Sequence, residues 1–322
     1  MASRDAGHAP SLTDRAIARG FATGWKMLPS MPARMAYSIF DDIASATYIR
    51  GGGSVEQLRR NYARARPELA PTELESLVRS GVRSYMRYWC EMFRLPGMSD
   101  EQLRRSVRAV GVEPIRESLA RGEAVIGFVP HMGNWDAAGA WAQATLGPVV
   151  TVVEKLEPES VFRGFMRLRE QRGITPYPLT DSGEVLRKLM AHTGKPHILP
   201  LLGDRDLTGG GAEVDFLGGR ASFAIGPAML ALRSTGWVVP ISIRYERVER
   251  SVVPSGYRTV VTFHDAVHDP GSGTTRERIA AMTQGCADVL GEQIRAHTES
   301  WHMMQPIFLD DPRHPSSRPS PV

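Results

Sequence analysis

Residues 124–139 read AVIGFVPHMGNWDAAG. The apolar run 124–129 is short, β-branched and aromatic, which suits a buried strand better than a helix. Pro130 and Gly133 punctuate it. Asn134 or Asp136 suits the first turn of a helix over about 135–146, where partial positive charge favours an oxygen acceptor. The stretch is therefore strand, turn, helix. His131 falls at the carboxyl end of the strand, where open α/β sheets hold ligands.

Working outward, apolar runs keep alternating with helical patterns. PVVTVV precedes a helix near 158–172, ITPYP a helix near 182–192, and PHILPLL a glycine-rich stretch. A short EVDFL, a helix near 226–236, WVVPISIRY, YRTVVTFH and a helix near 275–297 complete the series. Such alternation predicts an α/β fold with a central mixed, mostly parallel sheet flanked by helices, the late pair WVVPISIRY and YRTVVTFH being antiparallel. Upstream, the pattern is helical through about 13–28, 33–49, 54–65 and 71–94, and Pro114 opens a short helix. The organisation expected is a helical N-terminal extension over 1–110, an α/β core over 111–308 integrated with it, and a Pro/Ser-rich disordered tail over 309–322.

In the first helix, capped by Thr13 or Asp14, the residues Ile17, Phe21, Trp25 and Leu28 share a face opposite Arg15, Arg19 and Lys26. An aromatic face against a basic one fits an interfacial helix, and it fits equally a helix docked on its own domain. In 71–94, Tyr85, Met86, Tyr88, Trp89 and Phe93 interleave with Arg79, Arg83, Arg87 and Arg94. That pattern can grip nucleic acid, but a core stripe beside a solvated basic face is the commoner cause. Basic and acidic residues alternate, no recognition motif occurs, and nucleic acid is not expected as a partner.

The chain of 322 residues carries a formal charge of +4. No run of about 18 apolar residues is present, so no membrane-spanning helix is expected. Cys90 and Cys286 are far apart without a CxxC, which fits two buried thiols rather than a redox or zinc site. HDAVH at 264–268 spaces two histidines like a zinc helix but follows a β-like run and ends at Pro270. The nucleophile elbow G-x-S-x-G, the P-loop and the dinucleotide fingerprint are missing. The Gly209–Gly211 triplet reads as a loop.

The spacing His131-x4-Asp136 recurs in His264-x4-Asp269, so position must separate the two. Only the first pair lies between a strand end and a helix start; the second reads as structural. An ionised Asp136 accepting from one imidazole nitrogen would leave the other as a base. Such a base suits a hydroxyl attacking an acyl carbonyl, and with no serine or cysteine adjacent, direct transfer is favoured over an acyl-enzyme.

Four blocks in order carry more information: PHMGNWDAAG, VVEKLEPESVFRGFMRLRE, GDRDLTGGGAEVDFLGGRASFAIGPAMLA and WHMMQP. Together they resemble the actinobacterial phosphatidylinositol mannoside acyltransferases, in the glycerolipid acyltransferase superfamily with the lipid A lauroyltransferases, over about residues 15 to 310. The resemblance implies peripheral attachment to the anionic cytoplasmic face of the cell membrane, with the basic amphipathic segment of the N-terminal extension facing the membrane and bringing the groove to anionic lipid. It implies transfer of a palmitoyl-type chain from acyl-CoA, a cosubstrate with no further cofactor, to the 6-hydroxyl of the mannose at position 2 of inositol. It assigns His131 and Asp136 to catalysis, and Asp204 stands where the family has glutamate, with the charge kept one methylene shorter. Glu154, Arg169, Arg205 and His302 match polar groove positions. Arg169 and Arg205 would hold a phosphate or an oxyanion, or else pair with Glu170 or Asp206. Glu154 would fix an arginine or a sugar hydroxyl. A different glycolipid or lysophospholipid acceptor, or a non-catalytic membrane-binding protein, are the alternatives.

Overall fold

The computed structural model describes residues 12–179 and 182–314. The described chain opens on helices α1 (Leu12–Met27), α2 (Ala33–Arg50), α3 (Gly53–Ala65) and α4 (Pro71–Arg94). Pro71 sits in the first turn of α4, where its missing N–H costs nothing, and Glu73 reaches back to the Ala70 N–H. There follow α5 (Asp100–Ser106), β1 (Val107–Val110), α6 (Glu113–Ala120), β2 (Val125–Val129), α7 (Trp135–Thr145), β3 (Val150–Glu154), α8 (Glu159–Gln171) and β4 (Thr175–Leu179). The rest is α9 (Ser182–Met190), β5 (Ile198–Leu202), β6 (Ala212–Phe216), β7 (Gly219–Phe223), α10 (Gly226–Leu232), β8 (Trp237–Arg247), β9 (Tyr257–Phe263), β10 (Val267–His268) and α11 (Thr275–Ala296).

Strand β2 is the axis of the sheet. It lies between β5 and β8, parallel to both, within the order β1-β9-β8-β2-β5, with β10 antiparallel on β8. All of its residues are buried, which is why it reads as a continuous apolar run rather than an alternation. Alternate side chains feed two cores. Ile126 and Phe128 join Leu58, Tyr62, Leu290 and Ile294 on one face, while Val125 and Val129 join Met92, Trp141, Phe165 and Leu168 on the other. The N-terminal helices thus contribute to both cores. Beyond β5, Val149 bridges Ile198 in parallel and brings in the parallel pair β3–β4. The expected antiparallel pair is β8–β9, in register from Ile241–Phe263 to Arg247–Tyr257. The fold is the expected α/β arrangement, a mixed and mostly parallel sheet flanked by helices.

Three expectations are corrected. Residues 107–110 are not helical but form β1, which pairs in parallel with β9 at the sheet edge. The tail does not lose order at residue 309. Leu309 N–H donates to Arg220 O, and the buried Asp311 accepts from Gln57 Nε2 at 2.6 Å; residues 315–322 of that expectation lie outside the described ones. Lastly, the aromatic face of α1 packs on its own domain. Phe21 and Trp25 lie within 6.2 Å, ring to ring, of Phe165 on α8, and both also touch Phe93 on α4. A Cβ at Gly164 would stand 2.0 Å from the Trp25 ring, so only glycine admits this approach. The caps expected at Thr13 or Asp14, and Ile17, fall on side chains outside the described ones. Exposed apolar residues are found instead on α2, where Met35, Ile39 and Ile43 recur at every fourth position. No helix among the described residues is long and apolar enough to cross a membrane.

Candidate active site

The turn after β2 is built from three local decisions. Gly133 takes φ +60°, and a Cβ there would sit 2.5 Å from Ile243 O. Asn134 caps α7, its Oδ1 accepting from Ala137 N–H at 2.9 Å. Its Nδ2 donates to the half-buried Glu91 on α4 at 2.8 Å, and Glu91 also accepts from Tyr245 and Tyr37. Burial raises the Glu91 carboxyl above its ordinary range, against the bonds from Asn134, Tyr245 and Tyr37.

Because Asn134 is the cap, Asp136 lies inside the helix and turns away from His131. Its carboxylate accepts from Tyr88 Oη at 2.8 Å and pairs with Arg169 Nη2 at 2.8 Å. The partner of His131 is Asp204, just past β5 in the neighbouring strand. Asp204 Oδ1 lies 2.6 Å from His131 Nδ1, and Oδ2 accepts from the His131 backbone N–H at 3.0 Å. Trp301 Nε1–H supplies a third bond at 3.0 Å. Asp204 is wholly buried, which alone would raise its carboxyl. The charge of His131 and the bonds from His131 and Trp301 outweigh that and hold it below the usual value. An ionised carboxylate can only accept, so Nδ1 carries the hydrogen, and in the neutral ring Nε2 keeps its lone pair. The orienter expected in Asp136 is therefore Asp204, and the shorter side chain reaches.

Segment 300–303 runs alongside the turn. Gly133 N–H donates to Ser300 O, His302 N–H to His131 O, and Met132 bridges Trp301. His302 is buried, its Nε2 is 2.9 Å from Ser84 Oγ, and its Nδ1 has no hydrogen-bond partner. Burial, with the charges of Arg87 and His131, pushes its pKa down to about 3, so the ring is neutral. Trp135 meets His131 edge-on at 5.7 Å and stacks on Tyr88 at 4.1 Å.

Glu154 closes β3 and pairs with Arg205 rather than standing free. Arg169 pairs with Asp136 and not with Glu170. Asp206 closes the glycine loop instead, accepting from the N–H groups of Thr208 and Gly211. One buried nitrogen on each arginine, Arg169 Nη1 and Arg205 Nε, has no partner. His131, Glu154 and Asp204 thus come from the carboxyl ends of β2, β3 and β5. The second His-Asp pair is dismantled: His264 Nε2 bonds Ser242 Oγ at 2.8 Å and Asp269 pairs with Arg278. Trp301, Glu91 and Trp135 have no predicted role in the sequence, and Tyr88 enters it only as part of an aromatic stripe; their signals are the WHMMQP block, the stripe of 71–94 and the PHMGNWDAAG block.

Beside the turn lies an apolar cavity of about 70 Å³, within about 710 Å³ of space between atoms that is partly open to solvent. Asp136, Arg169, Thr151 and Trp135 bring polar atoms to its lining, and Val129, Ala138, Gly139, Ala142 and Phe263 are among its apolar walls. Val129 and Trp135, which flank the His131 turn, open onto this apolar space beside a cationic group, and that suits the start of a hydrocarbon chain attached to a reacting carbonyl.

The chain belongs to the bacterial lipid A biosynthesis acyltransferase family, whose model matches residues 11–310. Among curated proteins it is 34% identical over 296 residues to the phosphatidylinositol mannoside acyltransferase of Mycolicibacterium smegmatis, covering 91% of each chain. It is 33% identical over 307 residues to the protein of that name from Mycobacterium tuberculosis H37Rv, covering 94% of this chain and 91% of the relative.

Proposed function

We infer that the protein moves a palmitoyl-type chain from acyl-CoA to the 6-hydroxyl of the mannose at position 2 of inositol in a phosphatidylinositol mannoside. The observation that carries this reading is the commitment of His131 Nδ1 to Asp204, which leaves Nε2 as a base on a turn whose flanking residues Val129 and Trp135 line an apolar cavity. The family and the names of the relatives support acyl transfer and a phosphatidylinositol mannoside acceptor.

In this mechanism Nε2 takes the proton of the mannose hydroxyl as its oxygen attacks the thioester carbonyl. Asp204 stabilises the imidazolium that forms. The unpartnered Nη1 of Arg169 donates to the developing oxyanion, and Asp136 holds the guanidinium in place. Collapse breaks the carbon–sulfur bond, the imidazolium protonates the departing thiolate, and CoA leaves as the thiol. The acyl chain enters the cavity at its carbonyl end. Met35, Ile39 and Ile43 on α2 rest on the anionic inner surface of the membrane, with Arg19 and Lys26 of α1 exposed nearby in the chain.

Incubating the purified protein with palmitoyl-CoA and mannosylated phosphatidylinositol, with mass spectrometry of the lipid, tests the reading. His131→Ala should lower transfer by about 10²- to 10⁴-fold with the circular dichroism unchanged. Undiminished transfer by that variant would sink the mechanism. Transfer to another glycolipid or a lysophospholipid alone would replace the acceptor.

A further inference from the structure

The arginines that interleave with aromatics on α4 do not share one fate. Arg79 lies over the Tyr48 ring, and Arg94 donates to the carbonyls of Leu28 and Met31. Arg83 and Arg87, one turn apart, instead line a pocket with Arg247 at the end of β8 and Arg250 from the connection between β8 and β9. The pocket holds about 960 Å³ of atom-free space open to solvent. Arg87 and Arg247 both approach the ring of Tyr257, at 3.5 and 5.6 Å from its centroid. Val248 N–H to Gly256 O and Ser255 Oγ to Tyr257 O pin the connection that carries Arg250.

Among the described residues, none of the four arginines has a carboxylate within ion-pair distance, although Arg59, Arg64, Arg108, Arg169 and Arg205 all do. Asp41 is the single carboxylate lining the pocket. Glu91, deeper in the same stripe of α4, already accepts from Asn134, Tyr245 and Tyr37. Four like charges gathered without partners repel one another, and a bound anion removes that cost. Planar guanidinium forks, one of them stacked on a phenol, match phosphate oxygens in charge and shape.

We propose that Arg83, Arg87, Arg247 and Arg250 form a phosphate-binding pocket separate from the His131 site, taking a phosphate ester of a phospholipid headgroup or of a soluble nucleotide-type ligand. It goes beyond the acyl-transfer reading and does not depend on it. The test is titration of the full-length protein with inorganic phosphate and pyrophosphate at low salt, by calorimetry and thermal shift. The variant is Arg83→Ser/Arg250→Ser, because both side chains are exposed and their loss leaves the core intact. Saturable binding should weaken about tenfold or more in the variant, and the phosphate-induced rise in Tm should shrink with it. Equal binding by wild type and variant would place the anion elsewhere, at Arg169 or Arg205 for example, and overturn the proposal, as would the lack of saturable binding. Two further arms identify the source. Loss of sedimentation with phosphatidylcholine vesicles containing phosphatidylinositol, but not with phosphatidylcholine alone, points to a headgroup. A loss of affinity for CoA that dephospho-CoA does not show points to the soluble ester.

Discussion

Replacing Asp204 by asparagine tests the central geometry with almost no change of shape. Asp204 Oδ2 receives two N–H groups, from His131 and Trp301, each at 3.0 Å, and Oδ1 receives Nδ1 at 2.6 Å. An asparagine has one oxygen to offer. Set in the Oδ2 position, it keeps two bonds and turns its NH2 towards Nδ1. Set in the Oδ1 position, it keeps one bond and faces two buried N–H donors with its own, at about 1–3 kcal/mol for each group left unsatisfied. The first arrangement wins. Nδ1 must then accept, the hydrogen moves to Nε2, and the base is lost while the fold stays. A histidine held in the wrong tautomer by this change in serine proteases loses about 10⁴-fold in kcat, and a fall of that order is expected here. The assay is release of the CoA thiol at saturating palmitoyl-CoA, with near-ultraviolet circular dichroism as the fold control. Activity within about tenfold of wild type, or a barrier change of about 1.4 kcal/mol, would refute the tautomer argument.

Other outcomes follow from the same structure. His302 is neutral when folded because its pKa is pushed down to about 3 from 6.5. The unfolded chain therefore binds a proton that the folded chain refuses, and stability falls as pH drops through 6.5. Between pH 6.5 and 5 wild type should lose about 2 kcal/mol more than His302→Gln in urea melts, and equal losses would show that the ring is not held neutral. Gly139 lines the cavity, and the nearest atom to a Cβ there is Ile174 Cδ1 at 3.6 Å. Gly139→Leu should fold, lose transfer from palmitoyl-CoA and keep transfer from octanoyl-CoA; unchanged chain preference would remove the acyl chain from this cavity. Ile39→Asp/Ile43→Asp should cut sedimentation with anionic vesicles by about tenfold or more while sparing turnover of detergent-dispersed acceptor. Vesicle binding that survives both changes would move the membrane contact off α2.

The sequence is clearest where one short stretch carries both the signal and the structure. The continuous apolar run 124–129 reads as a buried strand because β2 is covered on both faces, and Asn134 signals the start of α7 by capping it. What the spacing could not show is rotation. Asp136 is close to His131 in sequence, but one step into the helix sends its carboxylate to Tyr88 and Arg169. Asp204 is 73 residues away and yet adjacent, because β5 lies beside β2. Strand order is a long-range property that no local pattern encodes. The same reason hides β1: VRAV follows a helical turn, and its partner β9 comes about 150 residues later. The aromatic stripe of α1 was ambiguous because lipid and protein reward the same apolar face. The answer rests on Gly164 of a distant helix, which makes room for Trp25.

The stretch around Trp301 sets an order of events in biosynthesis. Asp204 and His131 are translated well before the indole that donates to Asp204, and Tyr62 Oη waits for the carbonyl of that same residue. Asn61 likewise donates to the carbonyls of Met303 and Gln305. A nascent chain that has emerged only as far as α11 can assemble much of the sheet, but it carries a buried carboxylate short of one donor and a turn with no strand beside it. The segment that follows α11 therefore acts as a latch on the His131 turn, and the surroundings of the His131–Asp204 pair are complete only once that segment is seated.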